Sequence, residues 1–397
     1  MNATAPTGGI ALTRAWLSVG SVALGIFTLM TTELLPVGLL MHIATEQGVT
    51  AGRAGLLLTA PGVVAAVAAP MVMVLAGRVD RRLMLCGLMA LLTLANLMTG
   101  VTESFSLLVC ARVLVGLSIG GFWAIAGGLA LRLVPTQSLG LATSLIFAGV
   151  SAASVLGVPA GTLIGDAVRW RMAFLVLAAL SGTVLLALAA VLPALPAKQS
   201  VSARDLVRQC GRSGILRGLL LTGLLVTGQF TAFTFFGPAL HLFAGVTPDQ
   251  VGKVLLVYGV CGFMGNFVAG VCSAQNVHRT LMGITGTLSF ALMLLATVGQ
   301  PLGLGLVLTA VWGLAYGGAS VALQTWMMKA APHATEATTA LFVATFNLSI
   351  ALGALIGGFA MDLGGVRIAL VLAALLVMAA AVMLLRSTRP HSHPTTV

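Results

Sequence analysis

The stretch Thr31-Thr32-Glu33-Leu34-Leu35-Pro36 lies inside a long apolar segment, residues 16–43. Glu33 is the only carboxylate that the sequence puts deep inside such a segment. A carboxylate in hydrocarbon is unfavourable unless it is neutral, paired or facing water, so its presence there indicates a function. Pro36 has no backbone N–H, so it leaves the carbonyl of Thr32, four residues earlier, without its helical donor. We therefore expect Glu33 to bind a coupling ion beside a loosened turn of helix.

The composition around this stretch is that of an integral membrane protein. Of the 397 residues, 59% are hydrophobic and 7% are charged, and the mean hydropathy is +1.09. The apolar runs reach about 20 residues, the length of a membrane helix, and lack the short alternation of barrel strands. The net charge of +11 does not predict a nucleic-acid partner, because the basic residues fall in short breaks between apolar runs. Membrane lipids are the expected surroundings.

Breaking the chain at charges, Pro and Gly predicts about twelve membrane spans and an all-α membrane fold. The predicted spans, numbered 1 to 12, are 16–43, 50–76, 83–101, 105–131, 138–165, 170–192, 215–243, 249–273, 278–298, 301–331, 334–361 and 366–386. With both termini in the cytoplasm, only five basic residues fall on the outer side: Arg53, Arg169, Arg171, Lys253 and Arg367. Most others fall inside, as the positive-inside rule requires.

A hydrophilic break at residues 193–214 separates six spans from six. It predicts a first bundle over 1–192, a cytoplasmic linker over 193–214, and a second bundle with a tail over 215–397. The linker is either a solvated connection or a basic amphipathic helix on the membrane surface. The halves also resemble each other, because single offsets align several glycines: Gly116 with Gly313, Gly120 with Gly317, Gly157 with Gly353, and Gly161 with Gly357. This pattern indicates two parallel six-span repeats.

Arg112 is a second charge inside a span. It lies about 10 Å from the outer end of span 4, and Glu33 lies about 14 Å from the outer end of span 1, at 1.5 Å rise per residue. Because the depths match, we predict that the two share one proton-coupling site, directly or through water. The alternative is that each side chain reaches a separate polar partner. The second half has Phe235 and Thr309 at the corresponding positions, so we expect coupling in the first half and more of the substrate contact in the second.

Candidate substrate-binding residues are polar or aromatic side chains within the spans. Amides and aromatic rings suit an uncharged or amphiphilic solute, although any one aromatic side chain can simply pack or face lipid. The predicted set is Thr32, Trp123, Gln229, Phe233, Phe236, Trp312, Tyr316 and Asn347. The sequence predicts no catalytic residues, no metal site and no cofactor, so we expect a protein that is not an enzyme.

Two further motifs are geometric. Gly157, Pro159 and Gly161 lie on a small-residue face of span 5 that allows another helix to approach closely. Asp80, Arg81 and Arg82 form a charged turn between spans 2 and 3. Topology alone explains the arginines, whereas Asp80 could lie against the N-terminus of a helix such as span 11, with Arg81 or Arg82 near Glu336.

No phosphate-binding loop is present: the nearest stretch, 245–253, has the wrong spacing. An ion gradient is therefore the expected energy source, and a single buried acid favours protons over sodium.

These residues resemble the Major Facilitator Superfamily, and within it the twelve-span drug/proton antiporters, most of all bacterial sugar efflux and chloramphenicol-type exporters. The likeness covers nearly the whole chain and is carried by Thr31-Thr32-Glu33 with Pro36-Val37-Gly38, Asp80-Arg81-Arg82, Arg112 with Gly116, Gly157-x-Pro159-x-Gly161, and Trp170-Arg171-x-x-Phe174. The turn motif departs from the family pattern, because it lacks the usual Gly between Asp-Arg and the later basic residues.

The resemblance implies two six-helix bundles around a cavity lined by spans 1, 4, 7 and 10. It implies a monomeric, proton-coupled exporter that works by alternating access in the bacterial inner membrane. The expected solute is small and neutral or amphiphilic, such as a sugar or a drug. The alternatives are a proton-linked importer on the same fold and a membrane sensor that transports nothing.

Overall fold

The computed structural model describes residues 9–75, 79–126, 129–135, 138–196, 211–247, 250–297, 302–331 and 335–386. Every regular element in these ranges is helical. The predicted linker lies mostly outside them, as does the tail after residue 386, so the division into two bundles at 193–214 stays a prediction.

The helices follow the predicted spans in order. In the first half they are Gly9–Gln47 for span 1, Leu56–Leu75 for span 2, Arg81–Val101 for span 3, Phe105–Ala126 for span 4, Leu139–Ala152 with Val158–Ala167 for span 5, and Trp170–Val191 for span 6. In the second half they are Ser213–Phe233 with Phe236–Ala244 for span 7, Val251–Thr297 for spans 8 and 9, Leu302–Gly317 with Ala319–Ala330 for span 10, Thr335–Gly364 for span 11, and Val366–Arg386 for span 12. Short helices Ala51–Ala54 and Ala130–Leu133 precede span 2 and follow span 4.

Spans 8 and 9 follow each other without a loop, as one helical run with a kink at Asn276. Eleven described helical stretches are long and apolar enough to cross a membrane, and one of them is 46 residues long. At 1.5 Å per residue that run is more than twice the thickness of a bilayer core. Its backbone leaves the helical region at Asn276, with φ −150° and ψ 93°, and the Asn276 side chain accepts a hydrogen bond from the Arg279 N–H at 3.0 Å. The run is thus two crossings, which makes twelve.

Three helix ends depend on glycine. Gly48, Gly245 and Gly365 have φ of 62°, 64° and 79°, and each directly follows a helix. This left-handed conformation ends a helix and is tolerated best by glycine. It produces the tight turns between neighbouring spans that the short predicted loops require.

Glycines at equivalent positions make equivalent contacts in the two halves. Gly116 of span 4 packs against the backbone of span 2 at Pro61, and Gly313 of span 10 packs against the backbone of span 8 at Tyr258. Their neighbours Gly120 and Gly317 pack one turn further along the same partners. A side chain at any of these positions would overlap backbone atoms, so the repeated glycines allow the same close helix pairing twice.

We expect Gly317→Ala to destabilise the protein by about 1–3 kcal/mol, as overpacking generally does. The added methyl group would overlap the Gly262 carbonyl and Cα in span 8, and backbone cannot move aside as a flexible side chain can. Thermal unfolding of the detergent-purified protein measures the effect. Gly283→Ala is the matched control, because nothing lies within 4 Å of a Cβ added there. Equal melting temperatures for the two variants would contradict this account.

Span 5 lies between span 1 of its own half and span 8 of the other. Its helix is interrupted by a π-helical segment, Ala153–Gly157, an irregularity that is frequent at functional sites. On one side Gly157 and Gly161 contact Thr31 and Leu35 of span 1. On the other side, the backbone at Ser154 contacts Gly259 of span 8. The predicted small-residue face therefore packs on Thr31 and Leu35 of span 1, which lie two residues before and two residues after Glu33.

Candidate functional site

Glu33 and Arg112 both lie inside the protein. Their exposed fractions are 3% and 1%, and each is a charged neighbour of the other. In the part of the chain that the structure describes, no direct hydrogen bond or ion pair joins them. The matching depths estimated from the sequence therefore correspond to one buried region, in which the two charges interact without touching. Neither side chain reaches towards the protein surface.

Arg112 takes the backbone acceptor that Pro36 leaves free. Its Nη1 donates to the Thr32 carbonyl oxygen at 2.8 Å, which is the carbonyl four residues before Pro36. Its guanidinium also lies over the Phe174 ring of span 6, 4.8 Å from the centroid, a cation–π contact that favours a desolvated arginine. The proline in span 1 and the arginine in span 4 thus form one structural unit beside Glu33.

Asn96 of span 3 completes the polar environment of Thr32. Asn96 was not among the residues predicted from the sequence. Its Nδ2 donates to Thr32 Oγ1 at 3.1 Å, and both residues are fully buried. Among the described residues, Glu33 Oε1, Arg112 Nε and Asn96 Oδ1 are buried without a hydrogen-bond partner. Buried polar atoms are rarely left unpaired in proteins without a functional reason.

The second half supplies a buried hydrogen-bonded chain. Trp312 Nε1 of span 10 donates to Gln229 Oε1 of span 7 at 2.7 Å. Gln229 Nε2 in turn bonds the Tyr258 hydroxyl of span 8 at 2.9 Å. Tyr258 was not among the predicted residues. Three predicted residues, Gln229, Trp312 and the neighbouring Phe233, therefore meet in one cluster.

Aromatic rings surround this chain. Phe233 stacks on Tyr258 with ring centroids 5.0 Å apart and meets Phe236 at 5.6 Å and Trp312 at 6.2 Å. Phe230 connects the group to Tyr316 at 6.2 Å. We call these residues, with Gln229, the aromatic cluster: Phe230, Phe233, Phe236, Tyr258, Trp312 and Tyr316. Most of these side chains are buried and pack against one another. They combine aromatic rings with a few directed hydrogen-bonding groups, the chemistry that suits a planar solute.

The first-half site and the aromatic cluster face each other. Tyr316 is electrostatically close to both Glu33 and Tyr258. Leu34, next to Glu33, packs against a hydrophobic cluster that contains residues of both halves, among them Val37, Trp312 and Phe233. Glu33 of span 1 and Tyr316 of span 10, a predicted substrate-binding residue, are therefore within electrostatic range of each other.

Two predicted binding residues lie elsewhere. Trp123 is partly buried against the first-half core. Asn347 of span 11 is buried, but its Nδ2 donates to the Val343 carbonyl of its own helix at 2.9 Å, and its backbone packs on Gly62 of span 2. A buried amide requires a hydrogen-bond partner, and Asn347 finds one within its own helix. The structure thus does not bring Asn347 into the aromatic cluster.

The charged turn makes contacts that differ from those expected. Asp80 caps span 3, accepting from the Arg82 N–H at 2.8 Å, and it also accepts from the Leu195 N–H at 3.0 Å. Arg81 N–H donates to the Leu195 carbonyl at 2.9 Å, and the Arg82 guanidinium donates to the Ala189 carbonyl. The carboxylate of Asp80 is thus hydrogen-bonded to an N–H of its own helix and to the segment after span 6, and the contact with span 11 that the sequence suggested is not among the described contacts. The Glu336 side chain lies outside the described residues.

The halves are joined at the end of the bundle away from the first and last described residues, which we call the distal end. There Asp362 of span 11 accepts from Thr50 Oγ1 at 3.0 Å and from the Gly52 N–H at 3.1 Å. Gly55 also contacts Phe235, and Gly38 contacts Leu255. At the opposite, proximal end, the hydrogen bonds Arg14–Val191, Lys329–Ser273 and Trp326–Gly214 each stay within one half. We call Thr50, Gly52 and Asp362 the distal clamp.

No group of three or more His, Cys, Asp or Glu residues that could hold a metal ion occurs among the described residues. The candidate site combines a buried acid, a buried guanidinium and a buried cluster of aromatic rings inside a bundle of membrane-length helices. Ionisable groups in this setting are typical of membrane transporters.

The sequence profile of the Major Facilitator Superfamily matches residues 21–342 and, in a second match, residues 219–397. The chain belongs to this superfamily. It is 32% identical over 377 residues to the "Purine ribonucleoside efflux pump NepI" of Escherichia coli O1:K1, with 95% of each chain covered. It is 31% identical over 377 residues to the pump of the same name from Shigella dysenteriae serotype 1, covering 95% of this chain and 96% of that one.

Solved transporter structures share the fold. A bacterial homologue of the human lysosomal transporter Spinster, in an inward-facing and occupied conformation, aligns with a TM-score of 0.74 at 14% identity, covering 94% of this chain and 96% of that one. The human organic anion transporter MFSD10 (TETRAN) aligns with a TM-score of 0.68 at 20% identity, covering 94% and 99%. The predicted all-α Major Facilitator fold is confirmed, and the chain is a multi-pass membrane protein whose bacterial relatives imply the inner membrane.

Proposed function

We propose that this protein is a proton-coupled exporter of purine ribonucleosides. The observation that carries the proposal is the position of Glu33, a buried acid without a hydrogen-bond partner for Oε1, within electrostatic range of Tyr316 of the aromatic cluster. One half of the protein supplies a group that can take up and release a proton. The other half supplies aromatic rings and an amide, the chemistry that suits a planar solute.

The charge balance around Glu33 changes when this side chain binds or releases a proton. With Glu33 ionised, its charge is opposed by Arg112, which is anchored to the Thr32 carbonyl and the Phe174 ring. With Glu33 protonated, the site carries the net charge of Arg112 alone. A solute bound at Tyr316 therefore experiences two different fields in the two protonation states. Uptake of a proton from outside can in this way be exchanged for release of a solute bound from inside.

The aromatic cluster and the names of the relatives both support a purine nucleoside as the substrate. Six aromatic side chains and one amide suit a purine base, since base–aromatic stacking contributes about 1–3 kcal/mol per base. Relatives at 31–32% identity over 95% of the chain carry the name of purine ribonucleoside efflux pumps. A nucleoside is neutral and contains both a sugar and a base, so it lies within the solute class expected from the sequence, although sugar or drug transport itself is untested.

The direction of transport can be tested with inside-out membrane vesicles. If the lumen is made acidic, an exporter that exchanges protons for solute accumulates radiolabelled inosine or adenosine from the bath. Collapse of the pH gradient with an uncoupler must abolish this accumulation. A proton-linked importer instead accumulates nucleoside only in right-side-out vesicles with an acidic exterior, and a sensor accumulates it in neither. Accumulation of a labelled sugar but not of nucleosides would contradict the substrate.

If the termini are cytoplasmic, the distal end is the outer end of the protein. The distal clamp then joins the two halves on the outside, while the hydrogen bonds described at the proximal end stay within each half. This arrangement supports an inward-facing state. Opening to the outside must break both bonds of Asp362, because they join span 11 to the start of span 2.

Asp362→Ala is therefore expected to favour the outward-open state by about 1–3 kcal/mol, a roughly 5- to 150-fold shift in the equilibrium. A cysteine replacing Leu255, which is buried at the distal end, reports the change in a variant without native cysteines. Its labelling by a membrane-impermeant maleimide should accelerate in Asp362→Ala cells. Glu103→Ala, at an exposed acid of the loop between spans 3 and 4, is the control. Unchanged labelling in Asp362→Ala would show that the clamp does not hold the distal end closed.

A further inference from the structure

Tyr258 is one of only two tyrosines in the chain. It lies in span 8 with 8% of its surface exposed. Its ring is held by Phe233 at 5.0 Å, Phe236 at 5.6 Å and Trp312 at 5.8 Å. The apolar part of the side chain is therefore fully used in packing, and the hydroxyl is the only group left with polar chemistry to offer.

The hydrogen-bonded chain has a direction that Trp312 sets. An indole N–H can only donate, so the Gln229 atom that faces it at 2.7 Å must be the amide oxygen. The other end of the amide, the NH₂ group, then faces Tyr258 at 2.9 Å and can also only donate. The Tyr258 oxygen is consequently an acceptor in this bond. Its own hydrogen must point to some other group.

No described residue accepts that hydrogen in this structure: the contacts of Tyr258 are the Gln229 amide and aromatic rings. A buried hydroxyl generally uses its donor. The arrangement therefore presents an O–H group whose acceptor is not among the described residues. Tyr316 lies within electrostatic range of both Tyr258 and Glu33, so this donor and the proposed proton site belong to the same region of the protein.

We propose that Tyr258 is a specificity-determining residue that donates its hydroxyl hydrogen to a ring nitrogen of the purine base, and that Gln229 and Trp312 are positioning residues that orient this donor. This inference rests on the proposed function. In adenosine the ring nitrogens N1, N3 and N7 can accept but cannot donate, which matches a hydroxyl that is restricted to donating; in inosine N1 carries a hydrogen, and N3 and N7 remain acceptors. Ribose hydroxyls can do both and do not need such a restricted partner. The surrounding rings also fit the flat base better than the ribose.

Binding to the detergent-purified, full-length protein tests the proposal, with adenosine and its 1-deaza, 3-deaza and 7-deaza analogues as probes. We expect Tyr258→Phe to weaken adenosine binding about tenfold, the loss of one well-placed hydrogen bond. One of the three analogues should bind the unmodified protein about tenfold more weakly than adenosine, and Tyr258→Phe should not weaken that analogue further. Adenosine binding unchanged by Tyr258→Phe, or equal losses for every analogue in both proteins, would overturn the assignment.

The positioning role of Gln229 needs a separate measurement, because Gln229→Leu could also act through packing. If Gln229 acts by orienting the Tyr258 hydroxyl, Gln229→Leu weakens adenosine binding in the unmodified protein but has no further effect in the Tyr258→Phe background. A merely structural role gives the same loss in both backgrounds. Melting temperatures of all variants identify any that fail to fold, and Tyr258→Phe alone still decides the main point.

The outcomes separate the two proposals. If the unmodified protein binds adenosine and exports it in exchange for protons, but Tyr258→Phe has no effect, only the Tyr258 assignment fails. If the unmodified protein binds none of the four nucleosides, the proposed function fails and the Tyr258 assignment fails with it.

Discussion

Glu33→Gln is expected to abolish accumulation of nucleoside driven by a pH gradient. The amide has the shape of the protonated acid but cannot bind and release a proton, so the exchange cycle cannot be completed. Exchange of labelled for unlabelled nucleoside across the membrane, which needs no net proton movement, should continue. The measurement compares gradient-driven uptake with such exchange in the same vesicles, because only the first should disappear.

The matched control is Glu103→Gln, the same chemical change at an exposed loop position, which should leave both activities unchanged. Full gradient-driven accumulation by Glu33→Gln would show that another group carries the proton. Loss of both activities would indicate instead that Glu33 is needed to bind the solute.

Arg112→Leu should have the larger effect on stability. It removes the donor to the Thr32 carbonyl and leaves Glu33 buried without its opposing charge. The lost hydrogen bond from a charged donor alone contributes about 1.5–3 kcal/mol. We expect a correspondingly lower melting temperature and no coupled transport. Arg169→Leu, at an exposed arginine before span 6, should change stability by no more than about 0.5 kcal/mol.

The double variant Glu33→Leu with Arg112→Leu separates stability from function. Replacing both members of a buried pair by apolar groups is often neutral, so much of the lost melting temperature should return while coupled transport stays absent. If the double variant were as unstable as Arg112→Leu alone, the contacts of Arg112 with Thr32 and Phe174 would dominate, and its interaction with Glu33 would be minor.

Predictions that rest on local chemistry agree with the structure. Pro36 lacks an N–H, so the free carbonyl of Thr32 follows from the sequence, and the structure shows it accepting from Arg112. The repeated glycines were predicted as packing positions, and they make equivalent close contacts in the two halves. The twelve spans follow from hydropathy because a membrane requires each crossing to be apolar and hydrogen-bonded within itself.

Predictions about which side chains meet were less successful. Asp80 was expected against span 11 but caps its own helix, since a local N–H is an easier partner than a distant helix end. Asn347 was expected near the solute but bonds its own helix. Tyr258 was missed because, in sequence, a tyrosine within an apolar span is indistinguishable from a packing aromatic. Its role depends on Gln229 and Trp312, which lie on two other helices.

The membrane fold, the repeat and the acid within span 1 can be predicted from the sequence, because each follows from the cost of placing polar groups in hydrocarbon. Three interactions depend on the packed structure: Arg112 binds the Thr32 carbonyl, Tyr316 lies within electrostatic range of Glu33, and Asp362 binds Thr50, 312 positions away in the chain. Those contacts join helices that hydropathy cannot place beside one another. Their partners are chosen by packing across the two halves, and no pattern along the chain records that packing.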